Sequence, residues 1–227
     1  MNAGVTTMKK DDQFYRDMQR YIAVTTIGPS TLRNQGANRV IEAAQVYLSV
    51  VSLPTFKTTG ESDFLEALNA HTERLRMALP TGAQNWGAAR KALNLFLREI
   101  CYNRFLCELH RLVACEDWME IPLDGLVARA LGRRAGRRKL PRWPGLTLLT
   151  PEVSNSYQAF AREFAVSIGI SRVHLDMRLW TEERISATKP EDRGWPPAFF
   201  ETTFGSIDDE TFVRPPQGEL PRAVDLD

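Results

Sequence analysis

Residues 86–100 read WGAARKALNLFLREI, and this stretch decides the fold class. Leu93, Phe96, Leu97 and Ile100 recur at the three- and four-residue spacing that puts apolar side chains on one face of a helix. The pattern resumes at Leu106, Leu109 and Val113, with a kink expected near Asn103. Upstream, Val40, Ala44, Tyr47 and Leu48 keep the same period until Leu53-Pro54, and Phe64, Leu65, Leu68, Thr72 and Leu75 mark another helix. Downstream, Tyr157, Phe160, Ala161, Phe164 and Ile168 form a further stripe.

Shorter elements fill the gaps. DQFYRDMQRYIAV (12–24) suits a short helix, residues 1–12 read as a loose leader, and Ser30 or Thr31 is available to cap a helix after the turn at Gly28. RVHLDMRLW, 172–180, fits two periods. Val173, Leu175, Met177 and Leu179 alternate as in a strand, while Val173, Met177 and Trp180 fit a helix. With no partner strand in view, helix is expected. The fold class is all-α, a compact multi-helix domain over 13–180 with an extended acidic C-terminal tail from Thr181.

The 227 residues suffice for a sizeable core, and 43% hydrophobic with 25% charged residues are the proportions of a globular chain. No apolar run approaches the roughly 20 residues that span a bilayer, so no membrane partner is expected. Cys101, Cys107 and Cys115 are odd in number and form no CxxC pair, and the three histidines are far apart. Neither a metal site nor a cofactor is expected, and a reducing, cytoplasmic setting fits free thiols.

The net charge of +1 hides a division. Arg129, Arg133, Arg134, Arg137, Arg138, Lys139 and Arg142 lie between Gly125 and Pro151 with no acid among them, whereas 181–227 hold eleven acids and five bases. Read as a basic loop over 129–143, the first group suits phosphates, because the guanidinium fork can bind two oxygens at once. A solvated face is the alternative. The tail carries Trp195, Phe199, Phe200, Phe204 and Phe212, enough aromatics to dock on the body or on a protein partner.

Two residues could carry chemistry. Asp124, approached through Pro122, can cap the helix GLVARAL, or it can stabilise positive charge developing at a sugar carbon. Lys91 can be a solvated helix lysine, a phosphate contact, or an amine nucleophile. His71 and His110 suit core or core-edge positions, and His174 with Asp176 would share a face only in a strand. Trp86 and Trp118 suit core, and Trp143, between Pro141 and Pro144, suits an anchor for the loop exit.

The segment IPLDGLVARAL, with Pro122, Asp124, Val127 and Arg129, resembles the one that bears the essential aspartate in the helix-hairpin-helix DNA glycosylases, the superfamily of endonuclease III and 8-oxoguanine glycosylase. LPTGAQNWGAARKALNLFL, with Leu79, Pro80, Gly82, Gly87, Lys91 and Ala92, is similar to that family's hairpin and the helix after it, though longer and without its Gly-x-Gly. STLRNQGANRVIEAA is similar to its early helix. The resemblance spans Ser30 to Leu131, with an insertion in the 33 residues between Lys91 and Asp124.

The resemblance implies excision of a damaged or modified base, an oxidised purine first, from duplex DNA, with lyase activity if an amine attacks. It implies Asp124 as the electrostatic or general-base residue and Lys91 as the Schiff-base nucleophile. Gln35 would support the distorted duplex, and Arg90, Arg133, Arg134, Arg137, Arg138 and Lys139 would contact nucleic acid. The expectation from another class is a non-catalytic nucleic-acid-binding or protein-interaction module.

Overall fold

The computed structural model describes the backbone of residues 3–32, 34–136 and 139–187, and side chains between 12 and 182 within them. Residues 1–185 form one compact unit. Of the extended acidic tail expected from Thr181, the residues as far as Ala187 are helical instead, continuing the helix that starts at Leu175. The rest from 188 onward lies outside the described residues, as do Arg137 and Arg138.

Among the described residues the chain is helical throughout, with no strand. The elements are α1 (Ala3–Thr26), α2 (Pro29–Leu32), α3 (Val40–Val50), α4 (Glu61–Ala78), α5 (Trp86–Tyr102), α6 (Arg104–His110), α7 (Gly125–Ala135), α8 (Pro151–Ser167) and α9 (Leu175–Ala187). Short 3-10 helices cover Leu53–Phe56, Leu112–Trp118, Leu146–Leu148 and Arg172–His174. No described helix is long and apolar enough to cross a membrane.

The all-α expectation stands, with three further local corrections. The supposed leader is helical from Ala3, continuous with the segment beyond it. The supposed basic loop is helical as far as Ala135, so Arg129, Arg133 and Arg134 stand on α7. Gly132 does not break that helix: an interior glycine costs about 1 kcal/mol, and burial of Val127, Ala130 and Leu131 on the same helix outweighs it. Thr31 does not cap a helix; its hydroxyl donates to the Thr26 carbonyl at 3.0 Å, and α3 begins only after Arg39, which is left-handed at φ 62°.

Two apolar cores organise these elements. The first gathers Ile22 of α1, Ile27 just after it, Leu48 of α3, Phe64 and Leu68 of α4, and Leu93, Phe96 and Ile100 of α5. The second joins Val127 and Leu131 of α7, Tyr157 and Ala161 of α8, and Leu175 and Leu179 of α9. Capping sets the boundaries of α5. Asn85 Oδ1 accepts from Ala88 N at 2.9 Å, and Asn103 both closes α5 and caps α6 through Leu106 N at 3.0 Å. The kink expected at Asn103 is thus a break between two helices.

The turn between α4 and α5 is held by close backbone approach. Gly82 and Gly36 both take positive φ, +89° and +90°, and a Cβ on Gly36 would fall 2.6 Å from the Gly82 carbonyl oxygen. Gly87 serves a different contact: a Cβ there would lie 2.2 Å from the Leu146 carbonyl oxygen, so the 146–149 segment packs directly on the first turn of α5. The turn region therefore fixes where α5 starts and how its buried face is oriented.

Candidate active site

Lys91 lies in the second turn of α5 and is buried, with a side chain 9% exposed. Its ammonium donates to the Thr31 carbonyl at 3.1 Å and stands 3.4 Å from Asp124 Oδ2. Asp124 reaches this point at the end of an extended segment, Met119–Asp124, and caps α7. Its Oδ1 accepts from Leu126 N at 2.9 Å and Val127 N at 3.0 Å. Capping and charge pairing therefore coexist, one on each oxygen.

The pair opens on a cleft of about 690 Å³ whose lining includes Lys91, Arg98, Tyr102, Asp124, Asp176 and Trp180. Asp176, in the first turn of α9, accepts from Arg98 Nη1. Burial pushes its carboxyl up to about 6; Arg98 and Lys91 pull it back, while Asp124 adds to the rise. The site thus joins a buried amine, a partly exposed carboxylate and a second carboxyl that titrates near neutrality. An amine attacks as the free base, and Asp124 Oδ2 is the nearest group on hand to accept its proton.

The other residues expected at the site divide sharply. Gln35 is 7% exposed and accepts from Asn85 Nδ2 at 3.2 Å, which puts it at the α4–α5 turn outside the cleft lining. Arg90 is 4% exposed and engaged, donating from Nε and Nη2 to the two Glu120 oxygens at 2.8 and 2.9 Å and from Nη1 to Asn69 and Thr72. It therefore offers no fork to a phosphate. Arg134 bonds Glu182 and its own Ala130 carbonyl, with its guanidinium 5.3 Å from the Phe164 ring. Arg133 and Lys139 are exposed.

Arg133 joins Arg129 and Arg142 along a second trough, about 680 Å³, floored by Leu140, Trp143 and Tyr157. Trp143 meets Tyr157 edge-on at 5.6 Å, and the Tyr157 hydroxyl donates to the Pro141 carbonyl at 2.8 Å, which anchors the loop as its flanking prolines suggest. The trough begins close to Asp124, since a Cβ on Gly125 would lie 3.4 Å from Arg129 Nη1 and 3.8 Å from Trp143 Nε1.

No histidine lines the cleft. His71 sits in the first core with Nδ1 2.8 Å from the Tyr47 hydroxyl, and burial lowers its pKa. Burial likewise lowers that of His110. His174 pairs with Glu116 at 2.9 Å and stacks on Tyr102. Cys101, Cys107 and Cys115 are free thiols, and burial pushes Cys101 up to about 12, far from a thiolate nucleophile. Among the described residues no three His, Cys, Asp or Glu side chains converge as a metal site.

Sequence reasoning underrated Asp176 and passed over Arg98 and Trp180. A signal existed: once 175–187 is helical, Asp176 and Trp180 are four apart and share a face, while Leu175 and Leu179 take the buried one. No family model, curated protein or solved structure matches the chain.

Proposed function

We propose that the chain is a DNA glycosylase-like enzyme that removes a damaged or modified base, an oxidised purine first, from duplex DNA. The observation that carries this reading is the 3.4 Å approach of Lys91 Nζ to Asp124 Oδ2 across 33 residues of sequence, at the edge of a cleft. Those are the two residues that the resemblance to the helix-hairpin-helix glycosylases singles out.

In this reading the base is everted into the cleft, because the glycosidic bond is shielded within the stack. Asp124 accepts the Lys91 proton, and the amine attacks the anomeric carbon. The new N–C bond forms as the glycosidic bond breaks, and that bond's electron pair leaves with the base, which takes up a proton. The sugar then stays on Lys91 as an aminal, and its ring opens. The bond from the anomeric carbon to the ring oxygen breaks, and its electron pair leaves on that oxygen, which takes the proton held by Asp124. The nitrogen's pair closes the C=N bond of a Schiff base, from which strand cleavage can follow. Asp176 and Trp180 line the cleft that would take the everted base. The exposed Arg129, Arg133, Lys139 and Arg142 are suited to the flanking phosphates.

The same exposed cations favour a second reading, a nucleic-acid-binding module whose affinity does not depend on Asp124. A single-turnover assay separates the two. Duplexes carrying a panel of lesions are incubated with wild type, Lys91→Ala and Asp124→Asn, with borohydride present to trap any amine–sugar adduct. An adduct that disappears in Lys91→Ala supports the enzyme with lyase activity. Base release lost only in Asp124→Asn supports a water-using glycosylase. Salt-sensitive binding with no product from any lesion selects the binding module.

A further inference from the structure

The segment that carries Asp124 has no helix or strand to hold it between Met119 and Asp124. Side chains from three neighbouring elements do so instead. From α5, Arg90 grips Glu120 through two hydrogen bonds, and Asn94 Nδ2 adds a third to Glu120 Oε2 at 3.0 Å. From α8, Gln158 takes the place of a strand partner: its Oε1 accepts from Ile121 N at 3.1 Å and its Nε2 donates to Ile121 O at 2.8 Å. Arg172 donates to the carbonyls of Trp118, Met119 and Gln158, which ties the start of the segment to α8.

Arg90, Asn94, Glu120, Gln158 and Arg172 are all buried. Stability alone is a weak reason for such a network, since a buried ion pair is often no more stabilising than apolar residues of the same volume. A bidentate fork does fix geometry. Arg90 is the residue before Lys91, and Glu120 lies four before Asp124. A slip of the segment along α5 would change the separation of Lys91 from Asp124, and the Arg90–Glu120 pair directly opposes that slip. Burial pushes the Glu120 carboxyl upward, but Arg90, Asn94 and Arg172 together hold it below the usual range, so the pair stays ionised.

We propose that Glu120 and Gln158 are positioning residues that fix the register of Met119–Asp124 on α5 and so hold Asp124 Oδ2 against Lys91 Nζ. The effect of this register on catalysis rests on the reading of Lys91 and Asp124 as the reacting pair. The geometric part does not.

The test uses the full chain with Gln158→Ala, Glu120→Gln and, as a destabilised comparison, Leu48→Ala, a fully buried residue of α3 outside the network. Glu120→Gln strips a buried guanidinium of its counter-charge, so Gln158→Ala carries the decision if that variant does not fold. Two quantities are read: the Lys91–Asp124 separation in crystal structures, and the single-turnover rate of base release set against duplex affinity. In Gln158→Ala the separation is expected to grow by about 1 Å and the rate to fall on the order of 10²-fold at unchanged affinity. Leu48→Ala is expected to keep the wild-type rate.

A folded Gln158→Ala with unchanged separation and rate overturns the inference, as does an equal loss of rate in Leu48→Ala. If wild type releases no base from any lesion, the glycosylase reading fails, and the crystallographic separations decide the positioning role by themselves.

Discussion

Lys91 Nζ faces Asp124 Oδ2 at 3.4 Å while the other Asp124 oxygen accepts from two backbone N–H groups at the head of α7. One carboxylate is thus both cap and counter-charge, and substitution can separate the two. Asparagine caps as well as aspartate, and alanine costs about 1 kcal/mol at such a position. Asp124→Asn is expected to keep the cap, to unfold in urea earlier than wild type because the buried Lys91 loses its counter-charge, and to lose the Lys91-dependent chemistry. Asp124→Ala is expected to lose the cap as well. If Asp124→Asn retained full base release, the carboxylate would be a cap only.

The basic trough makes a graded prediction. Arg129→Ala and Arg142→Ala are each expected to lower the slope of log affinity against log salt by about 1, the signature of one lost phosphate contact. Arg134→Ala is expected to leave the slope nearly unchanged, because that guanidinium is already held by Glu182 and Phe164. Equal slopes for all three variants would remove this trough from the nucleic-acid surface.

Asp176 predicts a pH dependence of stability. Its pKa is raised from 3.8 to about 6 in the fold, so its stabilising contribution is complete below about pH 4 and is lost as pH rises through 6. The loss is on the order of 3 kcal/mol, as two pKa units and a little more imply. Urea unfolding between pH 4 and 7 should show that decline in wild type. Asp176→Asn should flatten it, with a constant offset from leaving Arg98 without this partner.

Gly87 supplies a test in which the sign decides. At an open helical position Gly→Ala stabilises by up to about 1 kcal/mol. Here a Cβ meets the Leu146 carbonyl at 2.2 Å and Leu149 Cβ at 2.8 Å, so Gly87→Ala is expected to destabilise by about 1–3 kcal/mol through overpacking. A raised urea midpoint would mean that the 146–149 segment moves aside freely.

The helices with strong apolar period were legible in the sequence because their stripes are what the cores bury: Leu93, Phe96 and Ile100 on α5, Tyr157 and Ala161 on α8. Residues 172–180 were ambiguous because nine residues fit both periods. Burial of Leu175 with Leu179, four apart, resolves them as helix. Lys91 and Asp124 were readable as candidates, but their proximity was not, since it is made by the fold across 33 residues. Arg90 was misjudged for the same reason: a cation beside Lys91 looks available until Glu120, thirty residues on, is seen to take it. Asp176 gave no sign of its altered acidity, which comes from burial and from Asp124, far away in the chain.

Helix α5 is buried along nearly its whole length, from Gly87 and Ala88 through Arg90, Lys91 and Asn94 to Ile100. Amides in such a helix exchange with solvent only when the molecule as a whole opens, whereas shorter, half-exposed elements exchange through local fraying. The amine of Lys91 is therefore mounted on a slow-exchanging wall of the cleft, and its alignment should persist until the first core itself comes apart.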